Sequence, residues 1–195
     1  MIIRNEGHNE AKLMKWGLVR SWAPDPGVGQ GMINARSETL LEKPSFKDAL
    51  KKRRCLIPAN GFYEWRRDGK RKIPMWIQLK TRQPFAFPGL WDCWIDQKNG
   101  KKLYSFTIIT TRANALLSQI HDRMPVIYDR VMGRAWLEEP VSDPLVLSLI
   151  LQPVPLERLE AYEVSTLVNS PDNDSPECVR RVSQSSPGKS QLPLV

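Results

Sequence analysis

Histidine is scarce in this chain: His8 and His121 are the only two. Cysteine is almost as rare, with Cys55, Cys93 and Cys178 far apart and odd in number. Two imidazoles and three scattered thiols give no zinc-ligand spacing, so no metal and no other cofactor is expected. The same thiols cannot make a disulfide framework and point to a reducing, cytoplasmic setting. No apolar run approaches the ~20 residues that cross a bilayer, and no apolar leader opens the chain, which argues against a membrane partner. A nucleophile is also wanting near the start: Met1-Ile2-Ile3 leads into polar residues with neither Cys nor Ser.

What is present suits one well-cored domain. The chain has 195 residues, 41% apolar and 26% charged, ordinary proportions for a globular protein. Its net charge of +8 and isoelectric point near 9.6 give it a positive field. Such a field raises the expectation of a nucleic acid or another polyanion as partner; a nonspecifically basic surface is the other reading. Seven tryptophans are many for this length, and several stand beside Arg or Lys.

Residues 1–12 are polar and patternless, so a flexible segment is expected there, followed by a folded domain over 13–182. From 183 to 195 the composition turns to Ser, Pro, Gly, Gln and Lys, which predicts a disordered tail. Within the domain, Leu13 to Val19 reads as a strand, a Pro/Gly-rich loop follows, and a second strand carries Asn34 and Arg36. Ser45 is placed to cap a helix that closes on Lys51-Lys52-Arg53-Arg54. Strands are expected at Arg54–Pro58, Phe62–Arg67, Pro74–Leu79, Phe85–Ile95 and Leu103–Thr110, with Asp68-Gly69 as a hairpin turn. Thr111 then caps a helix through Ile120; shorter helices follow Asp129, Asp143-Pro144 and Pro155, and Tyr162–Ser165 is a late strand. Strands interleaved with helices without regular alternation give an α+β fold, a single β-rich domain with a few short flanking helices.

Three groups of residues suggest chemistry. Glu64 lies in Gly61-Phe62-Tyr63-Glu64-Trp65 and shares one strand face with Phe62 and Arg66. In a cleft it would be a general acid or base; on an open face it would pair with Arg66 or Arg67. His121 lies in Ile120-His121-Asp122-Arg123-Met124-Pro125, where it is either oriented for proton transfer or a helix C-cap. Asn34 and Arg36 present an amide and a phosphate-sized fork on one side of their strand, or serve a structural pairing. Trp22 and Trp65 are the tryptophans best placed to be exposed for base stacking.

In chain order, Trp16-Gly17-Leu18-Val19, Ile33-Asn34-Ala35-Arg36-Ser37-Glu38-Thr39, Lys43-Pro44-Ser45-Phe46 and Arg54-Cys55-Leu56-Ile57-Pro58 come first. Gly61 to Trp65, Phe106 to Thr111, Ile120 to Pro125 and the stretch from Val168-Asn169 to Pro176-Glu177-Cys178 follow. This set closely resembles the SOS response-associated peptidase family, the abasic-site shielding proteins. The resemblance implies that family's mixed sheet or barrel. It also implies binding of single-stranded DNA and covalent capture of abasic sites, as part of the DNA damage and SOS response. In the family, the α-amine and thiol of an N-terminal cysteine condense with the sugar aldehyde to a thiazolidine crosslink. By motif, Asn34 would position that cysteine, Glu64 would handle protons at the amine, and His121 would assist ring opening and Schiff-base steps. Arg36 and Arg123 would hold phosphates, with Trp22, Trp65 and Thr110 along the DNA path. A bacterial member would sit with the nucleoid in the cytoplasm.

The departures bear on activity. The family's Met-Cys-Gly-Arg start does not occur here, and Arg20 stands where the family usually has proline. Cys55 lies within a predicted strand and has no α-amine; Cys93 and Cys178 read as buried, unreactive thiols. The expectation is a chain whose N-terminal part is absent, through truncation or a late start, rather than a natural short form. Crosslinking is therefore expected only with a cysteine start upstream, which leaves enzymatic activity open. The alternatives are a noncatalytic single-stranded nucleic-acid binding module, and a self-processing thiol peptidase in which Glu64 and His121 would act on a leader.

Overall fold

The computed structural model describes residues 1–141 and 143–182; the expected tail at 183–195 lies outside them. Four short strands come first: β1 (Ile2–Asn5), β2 (His8–Ala11), β3 (Lys15–Trp16) and β4 (Asn34–Arg36). Helix α1 (Pro44–Lys52) leads into the long strands β5 (Arg54–Ala59), β6 (Phe62–Asp68), β7 (Arg71–Leu79), β8 (Phe85–Ile95) and β9 (Lys102–Arg112). Strand β10 (Arg123–Pro125), helices α2 (Arg130–Glu138) and α3 (Pro144–Ile150), and strand β11 (Leu159–Glu163) complete the domain.

The strands form two sheets. The larger runs β10-β9-β8-β5-β1-β2, with β3 and β4 added parallel to β9; the smaller is the antiparallel set β11-β7-β6. The larger path ends at β2 and β10, so among the described residues the mixed sheet does not close into a barrel. Side-chain alternation divides the larger sheet between two cores. From β8, Leu90 packs with Leu50, Trp136 and Leu147 on the helix-covered face, while Phe85 and Phe87 turn to the other. There they meet Met75, Ile77 and Leu159 of the smaller sheet. The helices cover one side of the large sheet and the small sheet covers the other. This is the α+β, single-domain, β-rich architecture that the sequence pattern indicates.

Four local expectations change. The patternless opening at 1–12 is a hairpin: β1 pairs with β2, Ile2 and Ile3 pair with Leu56 and Cys55 of β5, and Ile3 is buried. An edge supplied by β5 gives this polar segment backbone partners that its own sequence does not advertise. Of Leu13–Val19 only Lys15 and Trp16 are strand, because Gly17 breaks out at φ +109°. Its α-carbon passes so near the Gly29 carbonyl that an added Cβ would sit 2.5 Å from that oxygen. The expected helix from Thr111 to Ile120 is instead the end of β9, where Thr111 and Arg112 pair with Met124 and Arg123, followed by one 3-10 turn at Leu117–Gln119. Cross-strand pairing outweighs the capping signal there. Helix α1 starts at Pro44, whose fixed φ suits a first turn, with Lys43 rather than Ser45 in the cap position.

Candidate active site

The small sheet explains Glu64. Phe62, Glu64 and Arg66 of β6 stand opposite Ile77, Met75 and Ile73 of β7, so Glu64 points to the side on which Met75 and Ile77 are buried. Gly61, just before the strand, lies against the Trp76 indole; a Cβ there would come within 2.2 Å of the ring. No side chain fits, so the strand can enter flush with its neighbour. Burial raises the Glu64 carboxyl above the usual carboxylate range. Positive charge at His121 and the Trp65 backbone N–H oppose that rise, and Asp122 adds to it. Arg66 does not neutralise Glu64; it reaches Glu163 of β11 at 3.8 Å instead.

His121 is exposed and comes from the other sheet, just ahead of β10. The backbone N–H of Arg123 donates to its Nδ1 at 3.1 Å, and an Asp122 carboxylate oxygen lies 3.2 Å from the same nitrogen. Nδ1 also lies 3.2 Å from the Arg123 carbonyl, so the backbone can meet that nitrogen as donor or acceptor and the ring is held there. Glu64 and His121 are therefore electrostatic neighbours, although a long stretch of chain separates them.

Arg36, Thr110 and Pro125 stand abreast on β4, β9 and β10. Ala35 is buried, so Asn34 and Arg36 face outward together. Neither side chain has a hydrogen-bond or ion-pair partner among the described residues, so the structural-pairing reading does not hold. Arg123 differs. Its guanidinium grips both Glu38 carboxylate oxygens at 2.9 and 3.0 Å and donates to the Thr110 carbonyl at 2.6 Å and its hydroxyl at 3.2 Å. Only 17% of its side chain is exposed. The Arg123 pair holds the Glu38 carboxyl below its usual range. Arg123 thus anchors β10 and His121, with its fork filled by a carboxylate where the sequence suggested a phosphate.

The two tryptophans also part company. Trp22 is 64% exposed, with the Arg20 guanidinium 4.0 Å above its ring. Its loop is pinned to β8 through Ser21 N–H to Asp92 and the Trp94 indole to the Ala23 carbonyl. Trp65 is half-buried, its indole N–H donating to Asn169 at 2.8 Å. Tyr63 and Tyr162 donate to the carbonyls of Cys178 and Val179, so the segment after β11 is strapped to the outer face of the small sheet. Glu38 and Asn169 are the residues that reading site types alone passed over. Both sit inside the quoted motifs, and their partners come from distant elements. Cys55 and Cys178 are buried and Cys93 half-buried; burial drives the Cys55 thiol far upward, away from thiolate.

Fold and site together define a class: an α+β domain with a half-buried carboxylate beside an imidazole between two sheets, next to an open strand bearing an amide and an arginine. The chain belongs to the SOS response associated peptidase (SRAP) family, whose profile matches residues 1–171. It is 50% identical over 179 residues to abasic site processing protein YoqW of Bacillus subtilis (strain 168), covering 91% of this chain and 80% of that protein. To abasic site processing protein HMCES of Xenopus tropicalis it is 38% identical over 194 residues, covering 87% of this chain and 56% of that one. Among solved structures, an X-ray structure of a protein from Bacteroides thetaiotaomicron matches with a TM-score of 0.83 at 32% identity, covering 93% of this chain and 80% of that chain.

Proposed function

We propose that this chain is an abasic-site processing protein that binds single-stranded DNA. It forms a thiazolidine crosslink where a cysteine start precedes the residues described here. The observation that carries this reading is the desolvated Glu64 carboxyl, raised by burial and within electrostatic reach of His121 from the other sheet. A carboxyl raised by burial holds a proton more readily than an ordinary one and can return it, the exchange that amine attack on an aldehyde requires. In this reading Glu64 moves protons at the attacking amine. His121, held at Nδ1, serves sugar ring opening and Schiff-base steps through its free nitrogen. Asn34 offers an unengaged amide to position the amine. Arg36, exposed and without an ion-pair partner among the described residues, takes a phosphate, and Trp22 and Trp65 line the path of the bases. Arg123 and Thr110 contribute chiefly by holding the His121 segment; a phosphate at Arg123 has to displace Glu38. The names of the relatives at 50% and 38% identity support abasic sites as the target.

The balance is simple. The amine adds to the aldehyde and water leaves to give an imine; the thiol adds to the imine carbon, closing the thiazolidine. No redox partner is needed. A second reading, a binding module without covalent capture, draws support from the burial of Cys55 and Cys178.

A gel series with single-stranded oligonucleotides, with and without one abasic site, tests the proposal. The expected result is native-gel retention of both, tighter for the abasic probe. With Arg36→Ala the salt slope should flatten by about 0.7, one counterion's share for single strands. Extending the chain with a Met-Cys-Gly-Arg start should add a band that survives denaturation, formed more slowly with Glu64→Gln. No retention at low salt would sink the DNA reading. Capture at an unchanged rate in Glu64→Gln would remove Glu64 from the mechanism.

A further inference from the structure

The β6–β7 ribbon carries charge that the active-site reading leaves unused. Between Arg66 and Lys72 stand five cations, Arg66, Arg67, Lys70, Arg71 and Lys72, against one acid, Asp68. All but Arg66 are exposed, and among the described residues none of the other four cations has a salt-bridge partner. Arg67 stands directly opposite Lys72 in the ladder. Like charges facing each other across an antiparallel pair destabilise it, and no carboxylate offsets this pair. The ribbon is nonetheless stiff. It is paired residue by residue from Phe62↔Ile77 to Asp68↔Arg71, with Gly69 at φ +57° closing the turn, and its base is packed into the core between the sheets.

We infer that the tip of the β6–β7 hairpin is a second nucleic-acid contact, taking the phosphate backbone of the strand that flanks the target nucleotide. The inference rests on the DNA-binding reading above and adds a named surface to it. Alternation puts Arg66 and Arg71 on the Glu64 side of the ribbon and Arg67 and Lys72 on the Trp65 side, so the prong is cationic on both faces. From Glu64 to Asp68 is four strand steps, roughly 13 Å at 3.3 Å per residue. That span matches about four stacked nucleotides of one strand. Phosphates there would relieve the repulsion between Arg67 and Lys72 and release counterions, adding affinity that depends on length and not on base sequence. Because the ladder is already formed, the contact needs no ordering of a loop.

The test compares the full chain with the double variant Arg67→Gln/Lys72→Gln on single-stranded abasic probes of about six and about sixteen nucleotides, spanning the usual site sizes. The parent protein should bind the long probe more tightly. The variant should lose that gain, keep its affinity for the short probe, and show a salt slope on the long probe flatter by about 1.4, two phosphates' worth. Its Tm should hold or rise, since a like-charge pair is removed. An unchanged slope and length dependence in a folded variant overturns the inference, as does stronger retention on anionic lipid vesicles than on the long probe. Failure of the abasic-site reading looks different: the long probe would bind equally tightly with and without the lesion, and the hairpin variant would still weaken it.

Discussion

The two sheets treat their charged residues in opposite ways. On the large sheet, Arg123 reads in sequence as an open phosphate ligand, yet it is closed off by two carboxylate oxygens and a neighbouring threonine. On the small sheet, Glu64 reads either as a cleft acid or base or as a surface residue paired with Arg66 or Arg67, and it is turned inward and desolvated while Arg66 goes to Glu163. In each case the partner arrives from another element: Glu38 from the turn after β4, and His121 from the segment before β10. A charged residue's role is therefore set by what tertiary structure brings to it, and residue type gives only the candidates.

Disrupting each sheet should separate their contributions. The largest effect belongs to the helix-covered side: Trp136→Ala removes a side chain only 1% exposed, whose indole donates to the Cys55 carbonyl. It should cost about 3–5 kcal/mol and read out as a large fall in Tm with loss of both sites. Gly61→Ala should cost less, about 1–3 kcal/mol, because the Trp76 ring must give way. Its effect is local to the small sheet, so any Arg36-dependent DNA binding should persist while any Glu64-dependent rate falls. Comparable loss of both would mean that the two sheets are not separable.

Smaller changes sharpen the contrast through pH. Glu38→Ala should cost about 1 kcal/mol, in the range of exposed pairs. Because its carboxyl is held low in the folded state, its contribution is present at neutral pH and lost as pH falls through that lowered value. Glu64 has the reverse sign. Its raised carboxyl holds a proton more tightly when folded, so its own contribution to stability is greatest below about pH 4.3 and declines as pH rises through the raised value. Glu64→Gln should raise Tm at pH 7 by about a degree or two, with the gain vanishing in acid. A Tm gain independent of pH would show that Glu64 is not desolvated.

Much of the fold was legible because its signals are local. Alternation in Phe85–Ile95 and the Asp-Pro start at Asp143-Pro144 produced β8 and α3 where expected. The β1–β2 hairpin was not legible, since Arg4, Asn5 and the turn residue Glu6 carry no apolar alternation, and the hairpin is held in the sheet by the pairing of Ile2 and Ile3 with β5. Thr111 was misread for the same reason: capping chemistry is local, whereas its pairing with Met124 is not. At the site, the outward Asn34 and Arg36 followed from strand alternation around Ala35, while the closure of Arg123 by Glu38 depended on a contact 85 residues apart.

By itself the sequence determined the α+β class, the cationic character, the poverty in metal ligands and the motif residues, because these depend on composition and on periods of two to four residues. Only the tertiary structure decided that Glu64 is desolvated within electrostatic reach of His121, that Arg123 is occupied while Arg36 is open, and that Arg67 faces Lys72. The physical reason is range: burial and charge pairing act between atoms a few ångströms apart, whatever length of chain lies between them.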